Sequence, residues 1–309
     1  MVYIASIVNI DIGDNLQKVL VLGSTGMLGS AVVKILSKSN TEVLGTSRQD
    51  KNNIAFKAGL DSIEDVFKSF KPNWIINCIG IIKPYINESD SNSIFNAINI
   101  NSIFPMNLSN AAANIDAKVI QIATDCVYSG SKGAYSENDL HDATDVYGKT
   151  KSLGEIPAEN MMHIRASIIG PELGRSTSLL EWFKNQPINS KINGFTDHLW
   201  NGITTHAFGK LCAGIIKQNS FRGGRYHVTP RDIVTKADLL RIFSKAYKRS
   251  DLLITDTVSP NKVDRTLSTN DLNISNNLWK SAGYDSAPSI EEMVFEQAGL
   301  SPLFSKTQG

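Results

Sequence analysis

Apolar residues follow two rhythms in the first 170 positions. In KVLVLG (18–23), NWIINCIG (73–80) and KVIQIAT (118–124) they form short, nearly unbroken runs. Strands buried on both faces read this way, because neither side of the pleat meets water. Between these runs, MLGSAVVKILSKS (27–39) and SIEDVFKSF (62–70) repeat apolar residues at the spacing of one helical face. EVLGTS (42–47) predicts another strand, NIAFKAGL (53–60) a short third strand or loop, and 90–115 a long helix broken near Pro105. Repeated βα units imply a parallel sheet with helices on both faces. The expected fold is α/β, a Rossmann-type doubly wound parallel sheet.

The rhythm loosens beyond about residue 170. SLLEWFKNQ (178–186) and SIEEMVFEQ (289–297) predict helices, whereas INSKINGFTDHLWNGITT (188–205) is loop-rich. No low-complexity tether separates the halves. The expectation is therefore a dinucleotide-binding domain over 18–170, joined again by a segment around 200–230. A smaller C-terminal substrate-binding lobe would take most of 171–309. Residues 1–17 read as an extension before the first strand: Asp11 and Asp14 interrupt the apolar start, and no basic region precedes it, unlike a signal peptide.

Composition narrows the function classes. A formal net charge of +1 gives no reason to expect nucleic acid or an anionic membrane as partner. No apolar run approaches the roughly 20 residues that span a bilayer. Cys78, Cys126 and Cys212 are odd in number and far apart, which suggests reduced thiols in a cytoplasm and no metal site.

The first candidate chemistry is GSTGMLG (23–29), lying between a predicted strand and a predicted helix. Gly23 permits a tight turn, Gly26 close backbone approach to a pyrophosphate, and Gly29 close packing of helix on sheet. Ser24, Thr25, Met27 and Leu28 complete the loop, whose amides would face phosphate at the helix start. GTSRQD (45–50) ends the second strand, where Ser47 and Arg48 would meet the adenosine ribose. A guanidinium there grips a 2′-phosphate and favours NADPH, while Asp50 leaves NADH open. Asp61 is a candidate acceptor for the adenine amino group. Cys78, Ile79 and Gly80 end a strand at the sheet's carboxyl edge, where small residues let a cofactor lie close.

Tyr-x-x-x-Lys occurs twice, as Tyr128/Lys132 and Tyr147/Lys151. The first lies in YSGSKG, a loop composition. The second lies in TDVYGKTKSLGE, with Thr144 or Asp145 as helix cap and Pro157 ending the pattern. Positions four apart share a helical face, so Tyr147 and Lys151 point the same way. A nearby ammonium is expected to lower the phenol pKa, and it can also bind the nicotinamide ribose. Thr124, at the end of the preceding strand, would offer a hydroxyl to the substrate oxygen.

GSTGMLG, NCIG, ATDCVYSGSKGAYSENDLHDATDVYGKTKSLGE and RASIIG resemble the extended short-chain dehydrogenase/reductase superfamily. With SLLEWF, GRYHV and DRTLST they are similar to its dTDP-4-dehydrorhamnose reductase family, over nearly everything after residue 17. The resemblance implies that Thr124, Tyr147 and Lys151 are catalytic, that Asp125 orients substrate or shares a proton, and that Asn101 lies beneath the cofactor. It further implies NADPH-dependent reduction of a keto group, at C4, of a nucleotide-activated deoxysugar for surface polysaccharide, and a homodimer. The chain departs from that family at IIKPYI and CVYSG, positions that face the sugar, so Lys83 and Tyr128 become candidate substrate contacts. Trp200 is a candidate stacking surface for a base and Arg265 a partner for the pyrophosphate. Two alternatives stand beside this reading. One is a nucleotide-sugar epimerase or dehydratase with tightly bound NAD, and the other is a non-catalytic cofactor-binding regulatory subunit.

Overall fold

The computed structural model describes residues 16–48, 53–172 and 177–299; residues 1–15 and Asp50 lie outside them. Six strands come first: β1 (Gln17–Leu22), β2 (Thr41–Ser47), β3 (Ile54–Ala55), β4 (Trp74–Asn77), β5 (Lys118–Ala123) and β6 (Met161–Arg165). Among them run α1 (Met27–Leu36), α2 (Ile63–Phe70), α3 (Ser91–Ile98), α4 (Phe104–Ala113) and α5 (Val146–Leu153). Short strands follow: β7 (Ile168–Ile169), β8 (Lys191–Phe195), β9 (Leu199–Trp200) and β10 (Ile203–Thr204). Then come β11 (Gly224–His227), β12 (Val234–Thr235) and β13 (Leu253–Thr257). The remaining helices are α6 (Leu179–Lys184), α7 (Thr205–Lys217), α8 (Lys236–Ala246), α9 (Leu272–Ser281) and α10 (Ile290–Gln297).

Seven strands make one parallel sheet, in the order β3-β2-β1-β4-β5-β6-β11. The chain reverses direction across the sheet between β1 and β4, and that switch point opens a crevice at the carboxyl ends. Alternation within the strands assigns each residue to a face. Val19, Val21, Trp74 and Ile76 enter a core shared with α1, α7 and the C-terminal helices, while Leu20, Leu22 and Ile75 enter a second core under α2 and α4. Because the first core runs continuously from β1 to Trp279 and Met293, the later elements are packed onto the sheet itself.

The predicted break near Pro105 takes a specific form. α3 runs into a wide turn, Asn99–Ile103, before α4 begins with Pro105 in its first turn. Proline has no N–H to give the carbonyl four residues back, that of Asn101. Gly154, after α5, packs onto that carbonyl so closely that a Cβ would stand 2.0 Å from it. The break thus lets α5 approach, and Ser102 Oγ donates to the Thr150 carbonyl at 2.7 Å. Among the described residues no helix is long and apolar enough to cross a membrane.

Candidate active site

The glycine turn is built by β1, β2 and α1 together. Gly23 has φ +76°, the left-handed region that glycine enters without strain. A Cβ on Gly29 would lie 2.2 Å from the Gly23 carbonyl, so helix and turn meet only through glycine. Gly26 differs: its φ is −77°, and a Cβ would meet only the Gly23 oxygen, at 3.3 Å. The protein's own packing makes little demand for glycine there, and the open space fits a close ligand. Gly26 caps α1 without a side chain, leaving first-turn amides such as those of Met27 and Leu28 for phosphate or water. Leu28's side chain is in the core, and Thr25 is exposed.

Ser24 corrects an expectation. Its N–H and hydroxyl both donate to the Thr46 carbonyl, at 3.0 and 2.9 Å, and the hydroxyl lies 2.8 Å from Asn53 Oδ1. Gly45 leaves room for it. Ser24 fastens the turn to β2 through its N–H and its hydroxyl. Ser47 is buried at the end of β2, and Arg48, the next residue, is exposed. Asp61 accepts from Lys57 N at 2.6 Å and closes the loop after β3.

On the other side of the switch point, the Gly80 backbone faces Lys151. A Cβ there would stand 3.9 Å from Lys151 Nζ. Asn101, 1% exposed, holds the neighbouring loop: Oδ1 accepts from Ile81 N at 2.9 Å, while Nδ2 donates to the Ile81 carbonyl and to Thr150 Oγ1. It ties the strand end to α5, a positioning role. Cys78 lies half-buried on the same edge, and burial pushes its thiol pKa upward.

Asp145 caps α5, accepting from Gly148 N at 2.7 Å. The helix brings Tyr147 and Lys151 to the end of β5. Lys151 is 7% exposed and donates to the Ile122 carbonyl at 3.2 Å; burial lowers its pKa, opposed by Glu155. Thr124 donates to Asp125 Oδ1 at 3.2 Å and accepts from Cys126 N. The phenol pKa moves opposite to the expectation. Burial raises it well above its ordinary value, with Cys126, Asp125 and Asp145 adding to the rise and Thr124 opposing it. Tyr147 therefore holds its proton at neutral pH, as a donor must.

The candidate substrate contacts fare unequally. Tyr128 is fully buried, stacked on Tyr135 at 4.2 Å, with its hydroxyl donating to the Ser136 carbonyl and accepting from Arg165. It is a core residue, enclosed by protein. Trp200 is 4% exposed and its indole N–H donates to Ser167 Oγ at 2.8 Å, so its ring is not a surface for a base. Lys83 pairs with Asp145 at 2.9 Å, fastening the 83–85 turn to the start of α5. Arg265 donates from Nε to the Tyr128 carbonyl at 2.8 Å, and its charge opposes the rise that burial gives the Asp125 pKa.

Two features escaped the sequence reading. One is Lys236, the first residue of α8, whose charge and that of Asp125 act on each other's pKa. The other is a buried network around Arg165, which donates to Tyr128, His227, His141 and Glu155. Neither follows a local pattern.

A sequence profile describing the RmlD substrate binding domain matches residues 17–269. The chain belongs to that family. The RmlD family lies within the extended short-chain dehydrogenase/reductase superfamily. The chain is 33% identical over 142 residues to methionine adenosyltransferase 2 subunit beta of Rattus norvegicus, an alignment covering 45% of this chain. It spans 42% of that relative's length. It is 27% identical over 244 residues to a dTDP-4-dehydrorhamnose reductase of Aggregatibacter actinomycetemcomitans, covering 75% of this chain and 80% of that one. The RmlD-like architecture also matches the crystal structure of a dTDP-4-dehydrorhamnose reductase from Bacillus anthracis in complex with NADP. That likeness has a TM-score of 0.70 and 18% identity, covers 91% and 98% of the two chains, and is one of fold.

Proposed function

We propose that the protein is an NADPH-dependent reductase of a keto group, at C4, of a nucleotide-activated deoxysugar, working in the cytoplasm on surface-polysaccharide precursors. One observation carries this reading: Thr124, Tyr147 and Lys151 converge at the carboxyl end of β5, across the switch point from the glycine turn. The Aggregatibacter relative and the NADP named with the Bacillus structure support it.

The residues present fit a nicotinamide dinucleotide. Gly26 leaves space above uncapped helix amides, and Gly80 leaves space before Lys151. Arg48 would hold a 2′-phosphate and select NADPH over NADH. When bound, the reduced cofactor supplies the hydride equivalent that the carbonyl carbon accepts. Tyr147, neutral at pH 7, gives its proton to the carbonyl oxygen. Lys151, oriented by the Ile122 carbonyl, has N–H groups left for ribose hydroxyls. Thr124 steadies the developing oxyanion, and Asp125 orients the sugar. Elements after about residue 171, apart from α7 and β11, would form the substrate lobe, and Arg265 would meet the diphosphate. A second copy would cover the exposed apolar residues Phe95, Met106 and Leu153 on α3, α4 and α5.

The test is to mix the protein with a 4-keto-6-deoxy nucleotide sugar and either NADPH or NADH. Cofactor consumption in step with a reduced sugar, faster with NADPH, is the expected result. Sugar conversion without net consumption would place the protein with epimerases or dehydratases.

A further inference from the structure

One face of the sheet changes character toward its carboxyl edge. Ile75, Val119 and Met161 stand side by side across β4, β5 and β6 and enter the second core. The next row on that face is polar: Asn77, Gln121 and His163, in register and each at most 2% exposed. Buried polar groups cost stability unless they are paired, and the preceding row shows that apolar side chains fit here. The partners of this polar row lead to α5. His163 Nε2 donates to the carbonyl of Ile156, just beyond that helix, at 2.9 Å. Gln121 Nε2 donates to the Ile122 carbonyl at 3.0 Å, the same oxygen that receives Lys151 Nζ.

Asn77 and Gln121 form a chain of hydrogen bonds with a single direction. Ile79 N–H donates to Asn77 Oδ1 at 3.0 Å, and Asn77 Nδ2 donates to Gln121 Oε1 at 2.7 Å. Gln121 Nε2 then ends the chain on the Ile122 carbonyl. A backbone N–H only donates and a backbone carbonyl only accepts, so the two ends fix the orientation of both amides. The chain starts beside the glycine turn, where Ile79 Cγ1 lies 3.0 Å from the place a Cβ on Gly23 would take. It finishes at the oxygen that holds Lys151.

A carbonyl oxygen has two lone pairs. Gln121 takes one, and Lys151 is left with the other. We propose that Gln121, set by Asn77, is a positioning residue for Lys151: by occupying one side of the Ile122 carbonyl it confines the ammonium to one direction, with its remaining N–H groups aimed at the cofactor ribose. β5 lies between β4 and β6, so the carbonyl itself stays in place when Gln121 is replaced. What changes is which lone pair the lysine uses. The ribose belongs to the reductase reading, on which that part of the role rests; the confinement of Lys151 does not depend on it.

NMR tests the confinement on the protein without cofactor. A lysine held in one direction gives separate signals for its two ε-protons, and those of Lys151 are assigned by their loss in Lys151→Met. Gln121→Met is expected to bring the two signals together. Asn77→Leu/Gln121→Met should do the same, and it removes both amides at once, leaving no amide side chain unpaired to unfold the protein. Signals that stay apart in whichever variant is folded would overturn the proposal. NADPH binding, read by fluorescence, supplies a double-mutant cycle. Gln121→Met should weaken binding by about threefold to tenfold, the cost of ordering a freed lysine, and change nothing further in a Lys151→Met background. Equal weakening in both backgrounds is what a merely structural role gives, and it too would defeat the proposal. Failure of the reductase reading looks different: the wild type consumes no NADPH with a keto sugar, while the Lys151 signals still respond to Gln121.

Discussion

Lys151 Nζ donates to the carbonyl of Ile122 across 3.2 Å, pinning the ammonium of α5 to the strand that ends at Thr124. The same carbonyl accepts from Gln121 Nε2 at 3.0 Å, so it keeps a partner if the lysine is removed. Burying an ammonium costs stability, and among the described residues this one has a single hydrogen bond, to a neutral oxygen. Lys151→Met should therefore leave the melting temperature unchanged or raise it, while reduction falls by about 10²-fold or more. Calorimetry beside steady-state kinetics checks both halves.

The glycines of the turn separate in the same way. Gly29→Ala puts a Cβ 2.2 Å from the Gly23 carbonyl, a backbone atom that cannot swing aside. A loss of about 1–3 kcal/mol in unfolding free energy is expected. Gly26→Ala meets one oxygen at 3.3 Å and should fold near wild-type stability with weakened NADPH binding. Denaturant titration and cofactor fluorescence distinguish the two.

Arg48 lies exposed beyond the end of β2, where it meets only the cofactor's ribose edge in the reading given above. Arg48→Gln should weaken NADPH binding by about tenfold to a hundredfold and leave NADH binding nearly unchanged, the loss of one charge-assisted contact. Equal weakening of both would contradict the assignment.

Tyr128→Phe should do the reverse of a substrate-contact change. Its hydroxyl bridges Arg165 Nη1, at 2.7 Å, and the Ser136 carbonyl, at 2.9 Å. Removing it strands a buried guanidinium N–H and costs about 1–3 kcal/mol of stability. At a temperature where the variant is folded, kcat and KM should remain near wild type.

The same network predicts an acid-sensitive fold. His227 Nε2 accepts from Arg165 Nη1 and its Nδ1 donates to the Ser268 carbonyl, so the ring is neutral. Burial and the Arg165 charge lower its pKa to about 4, with Glu137 opposing. An unfolded histidine takes up its proton near pH ~6.5. Between these values the unfolded state binds more protons, so stability falls as pH falls from about 6.5 toward about 4 and levels below. The loss from this group is at most about 3 kcal/mol. His227→Gln should flatten that part of a stability profile measured by denaturant titration.

What the sequence disclosed was local. Alternation within KVLVLG sends Val19 and Val21 to one core and Leu20 and Leu22 to the other, so a doubly covered strand could be read directly. The glycine turn and Tyr147/Lys151 were legible because a strand end, a cap and a helical spacing of four act over a few residues. Tyr128 and Trp200 were misread for the opposite reason. Both stand in glycine- and polar-rich stretches that look exposed, yet distant partners bury them: Arg165 covers Tyr128, and Ser167 takes the Trp200 indole.

The measurement that bears most directly on the central claim is NADPH oxidation with a 4-keto-6-deoxy nucleotide sugar, comparing wild type with Tyr147→Phe. The account predicts consumption matched by reduced sugar in the wild type. In the variant it predicts a fall of about 10²–10⁴-fold in kcat with NADPH binding retained. Full activity in Tyr147→Phe, or a wild type that binds NADPH and reduces no such sugar, would contradict it.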